Sequence, residues 1–471
     1  MGPRRTGLAA LGDDFSLRRS CATSSQPALR GGAGRRAAVY RHAAAGQSAW
    51  SAGAVRTARR LVSDRIQHCP HHLRAFQRAR FVPRLSDIRP DDGTNSLPAH
   101  GHGGTMAGPA RPHQCPCHWA DGYPVHPMTA RPERLDRFMA RANAAYYATH
   151  DPFADFTTAP EISQAFGEVL GLWAAMGWQQ IGAPARIVLA EAGPGRGTLM
   201  ADALSAIRRA IPAFADAATI MFIETSPRLR AIQAQRVPEA RFAADLDEIP
   251  DAPLILLGNE FLDALPIRRF VRQKAEWREQ FVEVQPDGSA TLTTDSMEPP
   301  FPCLPDKVAE GTIREWSEAS HDTITRLAGR LTRQSGMALF LDYGPAQSGF
   351  GDSLQALAQG VPVDPFSLPA GAADLTAHVD FSALLDTARS AGANGYGPVA
   401  QGRFLVSLGL MQRCQRLASG KPAAMARQIM NAGQRLTQAE YMGTLFKAMA
   451  LTSPGLPVPA GFEPLPMRDM T

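Results

Sequence analysis

Arg186-Ile-Val-Leu-Ala-Glu191 is a short apolar run closed by an acid, followed by Ala192-Gly-Pro-Gly-Arg-Gly197 and then Thr198-Leu-Met-Ala-Asp-Ala-Leu-Ser-Ala-Ile207. An apolar run of this length bounded by turn residues reads as a buried strand. The spacing of Leu199, Ala203, Leu204 and Ile207 places them on one face of a helix. Glycine suits the connection because it accepts positive φ and lets a ligand approach the backbone. The pattern predicts a strand, a tight turn and a helix whose first free N–H groups face whatever lies above the turn.

Similar runs recur. Thr219-Ile-Met-Phe-Ile-Glu224 reads as a second strand, with Ser226 placed to cap the next helix and Pro227 at its first position. A third strand would end near Asp245, a fourth covers Pro253–Leu257, and a fifth covers Gly336–Asp342. Strands alternating with helices predict an α/β fold: a Rossmann-like doubly wound sheet with ligands at the carboxyl ends of its strands. Phe270–Arg272 and Trp277–Val284 alternate around polar residues, which predicts a hairpin in an insertion at about 266–335. Further helices are expected at both ends of the domain. Thr158, Pro160 and Glu161 read as a helix start, Thr158 the cap and Glu161 at capping-box spacing.

Composition narrows the class. The 471 residues are 44% apolar and 20% charged, as in ordinary globular proteins. No run of about 18 apolar residues exists, so no membrane-spanning helix is expected. Six cysteines form no CxxC pair, which argues against a disulfide scaffold and for a reducing compartment. The net charge of +5 conceals a split. Residues 1–127 carry 18 Arg and no Lys against seven Asp, a net of +11, while the remainder carries 31 basic and 37 acidic residues, a net of −6. The basic character belongs to the lead segment, so it gives no argument for nucleic acid as a partner. That segment reads as a basic extension rather than a domain: a start codon placed too far upstream of Met128, a disordered arm, or an Arg-rich targeting segment. Its Cys69, His71, His72, His113, Cys115, Cys117 and His118 lack paired-ligand spacing, so no metal is expected. The domain expected to fold is 128–471.

The glycine turn separates two ligand classes. Gly193, Gly195 and Gly197 make GxGxG, and Thr198 stands where a dinucleotide fingerprint needs its third glycine. Glu191, two residues before Gly193, would repel a pyrophosphate and suits a cation such as the ammonium and sulfonium of S-adenosyl-L-methionine. Glu224 ends the second strand, where a ribose diol is gripped, and Asp245 could approach the adenine. Asn259, Glu260 and Asp263 follow the fourth strand as candidate catalytic groups, with the Asn259 amide able to orient either cofactor or acceptor. Asp342 and Tyr343 are candidates for the acceptor pocket, and His378, flanked by Asp374 and Asp380, is a candidate proton acceptor.

With these residues in view, the chain resembles the MidA-like class I methyltransferase family. The resemblance rests on Tyr146-Tyr147 with Asp151-Pro-Phe153, Phe156-Thr-Thr-Ala-Pro-Glu-Ile-Ser-Gln164, Phe166-Gly-Glu168 and Glu191–Thr198. It continues through Glu224-Thr-Ser-Pro227, Gly258-Asn-Glu-Phe-Leu-Asp-Ala-Leu-Pro266, Leu341-Asp-Tyr-Gly344, Asp374–Asp380, Gln401-Gly-Arg-Phe-Leu405 and Gly443-Thr-Leu-Phe-Lys447. It spans Arg134 to Phe462, although the stretch between Pro152 and Phe156 is shorter than the family's. The resemblance implies S-adenosyl-L-methionine as cofactor and closure of the segment around Thr158 over it. It also implies methylation of an arginine on a respiratory complex I subunit, in the mitochondrial matrix of a eukaryote or the cytoplasm of a bacterium. A small-molecule methyltransferase, a catalytically silent assembly chaperone and an NAD-dependent oxidoreductase are the alternatives.

Overall fold

The computed structural model describes residues 132–150, 157–295, 305 and 307–464, and the strand–turn–helix unit stands in the middle of its main sheet. The basic extension, its cysteine–histidine cluster, and Asp151-Pro-Phe153 with Phe156 lie outside the described residues.

In chain order, strand β1 (Glu133–Arg134) leads into helix α1 (Leu135–Thr149), and α2 (Gln164–Gln180) precedes strand β2 (Ile187–Ala192). Helix α3 (Thr198–Ala210), β3 (Ala218–Ile223), α4 (Pro227–Arg236), β4 (Arg241–Ala243) and β5 (Leu254–Asn259) follow. The insertion holds β6 (Arg268–Gln273), β7 (Glu276–Val284), β8 (Ala290–Asp295) and β9 (Ile313–Trp316). Helix α5 (Glu318–Gln334) returns the chain to β10 (Gly336–Tyr343), and a small sheet of β11 (Gln355–Ala358), β12 (Val361–Val363) and β13 (Asp374–Thr376) comes next. Helix α6 (Phe381–Ser390), β14 (Asn394–Ala400), α7 (Leu410–Ala418), α8 (Ala423–Thr437) and β15 (Phe446–Thr452) complete the described chain, with several shorter helices between.

The main sheet has the order β14-β15-β10-β5-β2-β3-β4. Its strands β10, β5, β2, β3 and β4 are parallel, and β15 and β14 extend it antiparallel. Alternate side chains of each parallel strand feed two cores. Ile187 and Leu189 of β2 join Trp173, Leu204, Leu257 and Leu339 on one face. Val188 and Ala190 join Leu256, Leu327, Phe340 and Leu384 on the other. A sheet covered on both faces needs unbroken apolar runs, which is why these strands read as runs rather than as alternations.

On the first face, α2 lies close against α3. A Cβ at Gly167 would stand 2.7 Å from Asp202 Cβ, and one at Gly171 would stand 2.6 Å from Ala203 Cα. Small residues at this four-residue spacing are what let the two backbones approach. The insertion expected at 266–335 divides in two: its antiparallel sheet ends at Trp316, whereas Ile324, Leu327 and Leu331 of α5 belong to the second core of the main sheet. The inserted sheet, the small sheet and α1 share a third core through Leu135, Phe138, Met139, Ile267, Val282 and Leu375.

Candidate functional site

A cavity of about 680 Å³ opens at the carboxyl ends of β2, β3 and β5, between the glycine turn and α1. The local rules place its floor. Gly193, Gly195 and Gly197 all adopt positive φ, of 63°, 56° and 75°, and Gly197 is the N-cap of α3. Glu191 is 3% exposed, and its Oε2 has no hydrogen-bond partner. Burial pushes its carboxyl well above the usual range, against a hydrogen bond from the Met200 N–H. Glu224 accepts from the Ser226 N–H at 2.7 Å and from Gln233 Nε2 at 3.1 Å. The same Gln233 Nε2 also donates to the Gly195 carbonyl at 2.8 Å, which fixes the glycine turn to the tip of β3. Gln233, fully buried, was missed in the sequence because a polar residue on a short polar helix carries no pattern of its own. Ser226 caps α4 as expected, its Oγ accepting from the Leu229 N–H.

The segment before α2 reaches over this floor. Thr158, Pro160 and Glu161 line the cavity. Thr158 occupies the cap position of a four-residue helix, yet its side chain makes no capping hydrogen bond. The expected capping box is replaced: Glu161 Oε1 accepts from Thr198 Oγ1 at the foot of the glycine turn. Glu260 Oε1 accepts from the Ala159 N–H at 3.3 Å and from Asn259 Nδ2 at 3.1 Å, so the segment is tied to the loop after β5. Glu260 itself sits at φ 51°, a strained conformation costing about 1–3 kcal/mol for a residue with a Cβ. Asn259 Oδ1 is buried without a partner, and Asn259, Glu260 and Asp263 all line the cavity.

Three other candidates lie elsewhere. Asp342 does not line the cavity; its Oδ2 accepts the backbone N–H groups of Leu262 and Asp263, at 2.9 and 3.2 Å, and so shapes the loop after β5 that carries Glu260 and Asp263. Burial and the neighbouring charges of Asp263 and Glu260 push its carboxyl well up. Tyr343 is fully buried in the first core, with its ring against Phe446. His378 meets the Tyr343 ring edge-on and borders a separate cavity of about 330 Å³ beside Arg314 and Phe350. Asp245 does line the main cavity, but its carboxylate is engaged by Arg326 at 2.5 Å, which holds it below the usual range.

The residues present fit a cationic nucleoside. A buried carboxylate with an orphaned oxygen beside the turn suits an ammonium or sulfonium, whereas a pyrophosphate there would meet like charge. A second acid at the tip of β3, held by two donors, suits a ribose diol. Nothing at Thr198 restores the dinucleotide fingerprint, so the NAD reading loses its footing.

Sheet, turn and paired acids thus fit a nucleoside-binding protein of the doubly wound class. Sequence comparison agrees: a family of S-adenosyl-L-methionine-dependent methyltransferases matches residues 169–399. The mitochondrial protein arginine methyltransferase NDUFAF7 homolog of Drosophila melanogaster is 31% identical over 367 residues, covering 68% of this chain and 80% of that protein. The human protein arginine methyltransferase NDUFAF7, mitochondrial, is 30% identical, covering 68% and 79%. The crystal structure of a Burkholderia thailandensis protein bound to S-adenosyl-homocysteine is 26% identical with a TM-score of 0.55, covering 70% of this chain and 88% of that one. The chain belongs to this S-adenosyl-L-methionine-dependent methyltransferase family.

Proposed function

We propose that this chain methylates the guanidinium of an arginine on a protein, that the protein is a subunit of respiratory complex I, and that in a eukaryote the work is done in the mitochondrial matrix. The relatives' names supply the arginine and the mitochondrion, and the family resemblance supplies complex I. The observation that carries the reading is the charge of the cavity wall: Glu161, Glu191, Glu224, Asp245, Glu260, Asp263 and Asp374 against Arg196 and Arg326. Such a wall favours a cationic cofactor and a cationic acceptor together.

When bound, S-adenosyl-L-methionine supplies an electrophilic methyl group. Glu191 and the glycine turn would hold its amino-acid end, and Glu224, steadied by Gln233 and Ser226, its ribose; the helix start Thr158–Glu161 would cover it. Asn259, Glu260 and Asp263 would orient the acceptor. A guanidinium is a poor nucleophile while charged, so the carboxylates have two tasks: to align it for in-line attack and to favour loss of its proton as the new bond forms.

The test is labelling. Incubation of the full chain with methyl-labelled cofactor and a membrane extract should place label on arginine of a complex I subunit, read by mass spectrometry. Label confined to small molecules would replace this reading with a small-molecule methyltransferase.

A further inference from the structure

Two cavity acids of distant sequence origin are brought together by one face of α1. Asn143 Nδ2 donates to the Ala264 carbonyl at 3.1 Å and to the Leu375 carbonyl at 2.8 Å, and its Oδ1 accepts from the Leu375 N–H at 3.0 Å. Ala264 directly follows Asp263 and Leu375 directly follows Asp374, so one buried amide clasps the two backbones beside their acids. The Ala377 N–H donates to the Asp263 carbonyl at 2.9 Å and ties the same two segments again. One helical turn beyond Asn143, the Tyr147 hydroxyl donates to Asp374 Oδ1 at 2.8 Å.

Asp263 and Asp374 are 3% and 2% exposed, and both line the cavity. Asn259, 8% exposed, lines it too and carries an unpartnered buried oxygen. Burial and the charges of Asp374 and Asp263 raise the Tyr147 hydroxyl well above its ordinary pKa, so it stays a donor at neutral pH. On the other side of Tyr147, its carbonyl accepts from Ser226 Oγ at 3.2 Å, beside Glu224. Helix α1 therefore bridges the acid that suits a ribose and the pair of acids beyond it.

The geometry points to Asp263 and Asp374 as a two-carboxylate clamp on the acceptor guanidinium, with Asn143 and Tyr147 as positioning residues. The inference rests on the reading that the acceptor is an arginine, and it assigns the grip to Asp374 and α1 as well as to the loop after β5. Two neighbouring acids suit the planar fork of a guanidinium, which offers several N–H donors in fixed directions. In the transfer, a guanidinium nitrogen forms the new N–CH₃ bond with its electron pair, and the broken S–CH₃ pair returns to sulfur. The proton released from nitrogen passes to a carboxylate and then to water.

The test is a calorimetric titration of L-argininamide into the full chain saturated with S-adenosyl-L-homocysteine, with L-citrullinamide as the neutral isostere. The expected result is binding of argininamide and at least tenfold weaker binding of citrullinamide. Asp374→Asn should weaken argininamide tenfold or more, Asp374→Glu should recover part of the loss, and Tyr147→Phe, which removes only one hydroxyl, should weaken it about threefold. Affinity for S-adenosyl-L-homocysteine should stay within twofold throughout, which a folding defect would not allow. Argininamide binding unchanged in both Asp374→Asn and Tyr147→Phe would overturn the clamp and leave the arginine reading standing. A wild-type chain that holds S-adenosyl-L-homocysteine but neither amide would overturn both.

Discussion

A buried carboxylate with an orphaned oxygen is costly unless a cation comes to it, and Glu191 is placed to meet one. Its folded pKa lies above the unfolded value, near 4.3 for glutamate. Its contribution to stability is therefore complete below that value and is lost as pH rises through the folded pKa. Glu191→Gln should raise the thermal midpoint of the cofactor-free protein at pH 8 by roughly 2 °C, with the difference shrinking toward pH 4. Cofactor affinity should move the opposite way, because only the carboxylate complements a cation; in the wild type it should fall as pH drops. Calorimetry across pH 5–8 checks this. At this scale Glu191, Gly193, Gly195 and Glu224 were legible as cavity-lining residues because they stand at or just past the ends of patterned strands. Asn143, Tyr147 and Gln233 were not. Tyr147 meets Asp374 across 227 residues, and Asn143 meets Leu375 across 232, separations that no local pattern encodes.

The parallel strands were legible as elements because each is covered on two faces and so runs apolar throughout. The extension of the sheet was harder to read. β14 is Asn-Gly-Tyr-Gly-Pro-Val-Ala, whose glycines and proline read as turn rather than strand, and only pairing with β15 makes it one. The division of the insertion was hidden for a related reason: α5 follows the inserted sheet directly yet belongs to the main core. The α2–α3 contact yields two element-scale predictions. Gly171→Ala should destabilise by about 1–3 kcal/mol, since the added carbon has no room against Ala203, and urea unfolding measures it. Glu168 on α2 is buried and is held by Arg413 of α7, at 2.8 Å to Oε1, and by Arg209 of α3, at 2.7 Å. Burial pushes its carboxyl up, but the two arginines pull it to below the usual range. Arg413→Ala leaves Arg209 in place and should cost roughly 2 kcal/mol at pH 7. The stability that Glu168 contributes is present above its unfolded pKa and disappears as pH falls through the folded one, so the effect of the substitution should fade in acid.

Across the whole molecule, seven acids and two arginines line the main cavity, while the net positive charge lies in residues 1–127. No helix among the described residues is long and apolar enough to cross a membrane. An acidic mouth attracts a cationic acceptor over distances comparable to the Debye length, about 10 Å at 0.1 M salt. The kcat/KM for an arginine-bearing acceptor should therefore fall severalfold between 50 and 500 mM salt, with kcat nearly constant, as steady-state kinetics would record.

The most direct trial is a calorimetric titration of the full chain at pH 8 with S-adenosyl-L-methionine and, separately, with NADH. Acid-tipped strands predict saturable heat from the first and none from the second, with Glu191→Gln binding the methyl donor at least tenfold more weakly. Heat from NADH, or a Gln variant that binds as tightly as the wild type, would contradict the account.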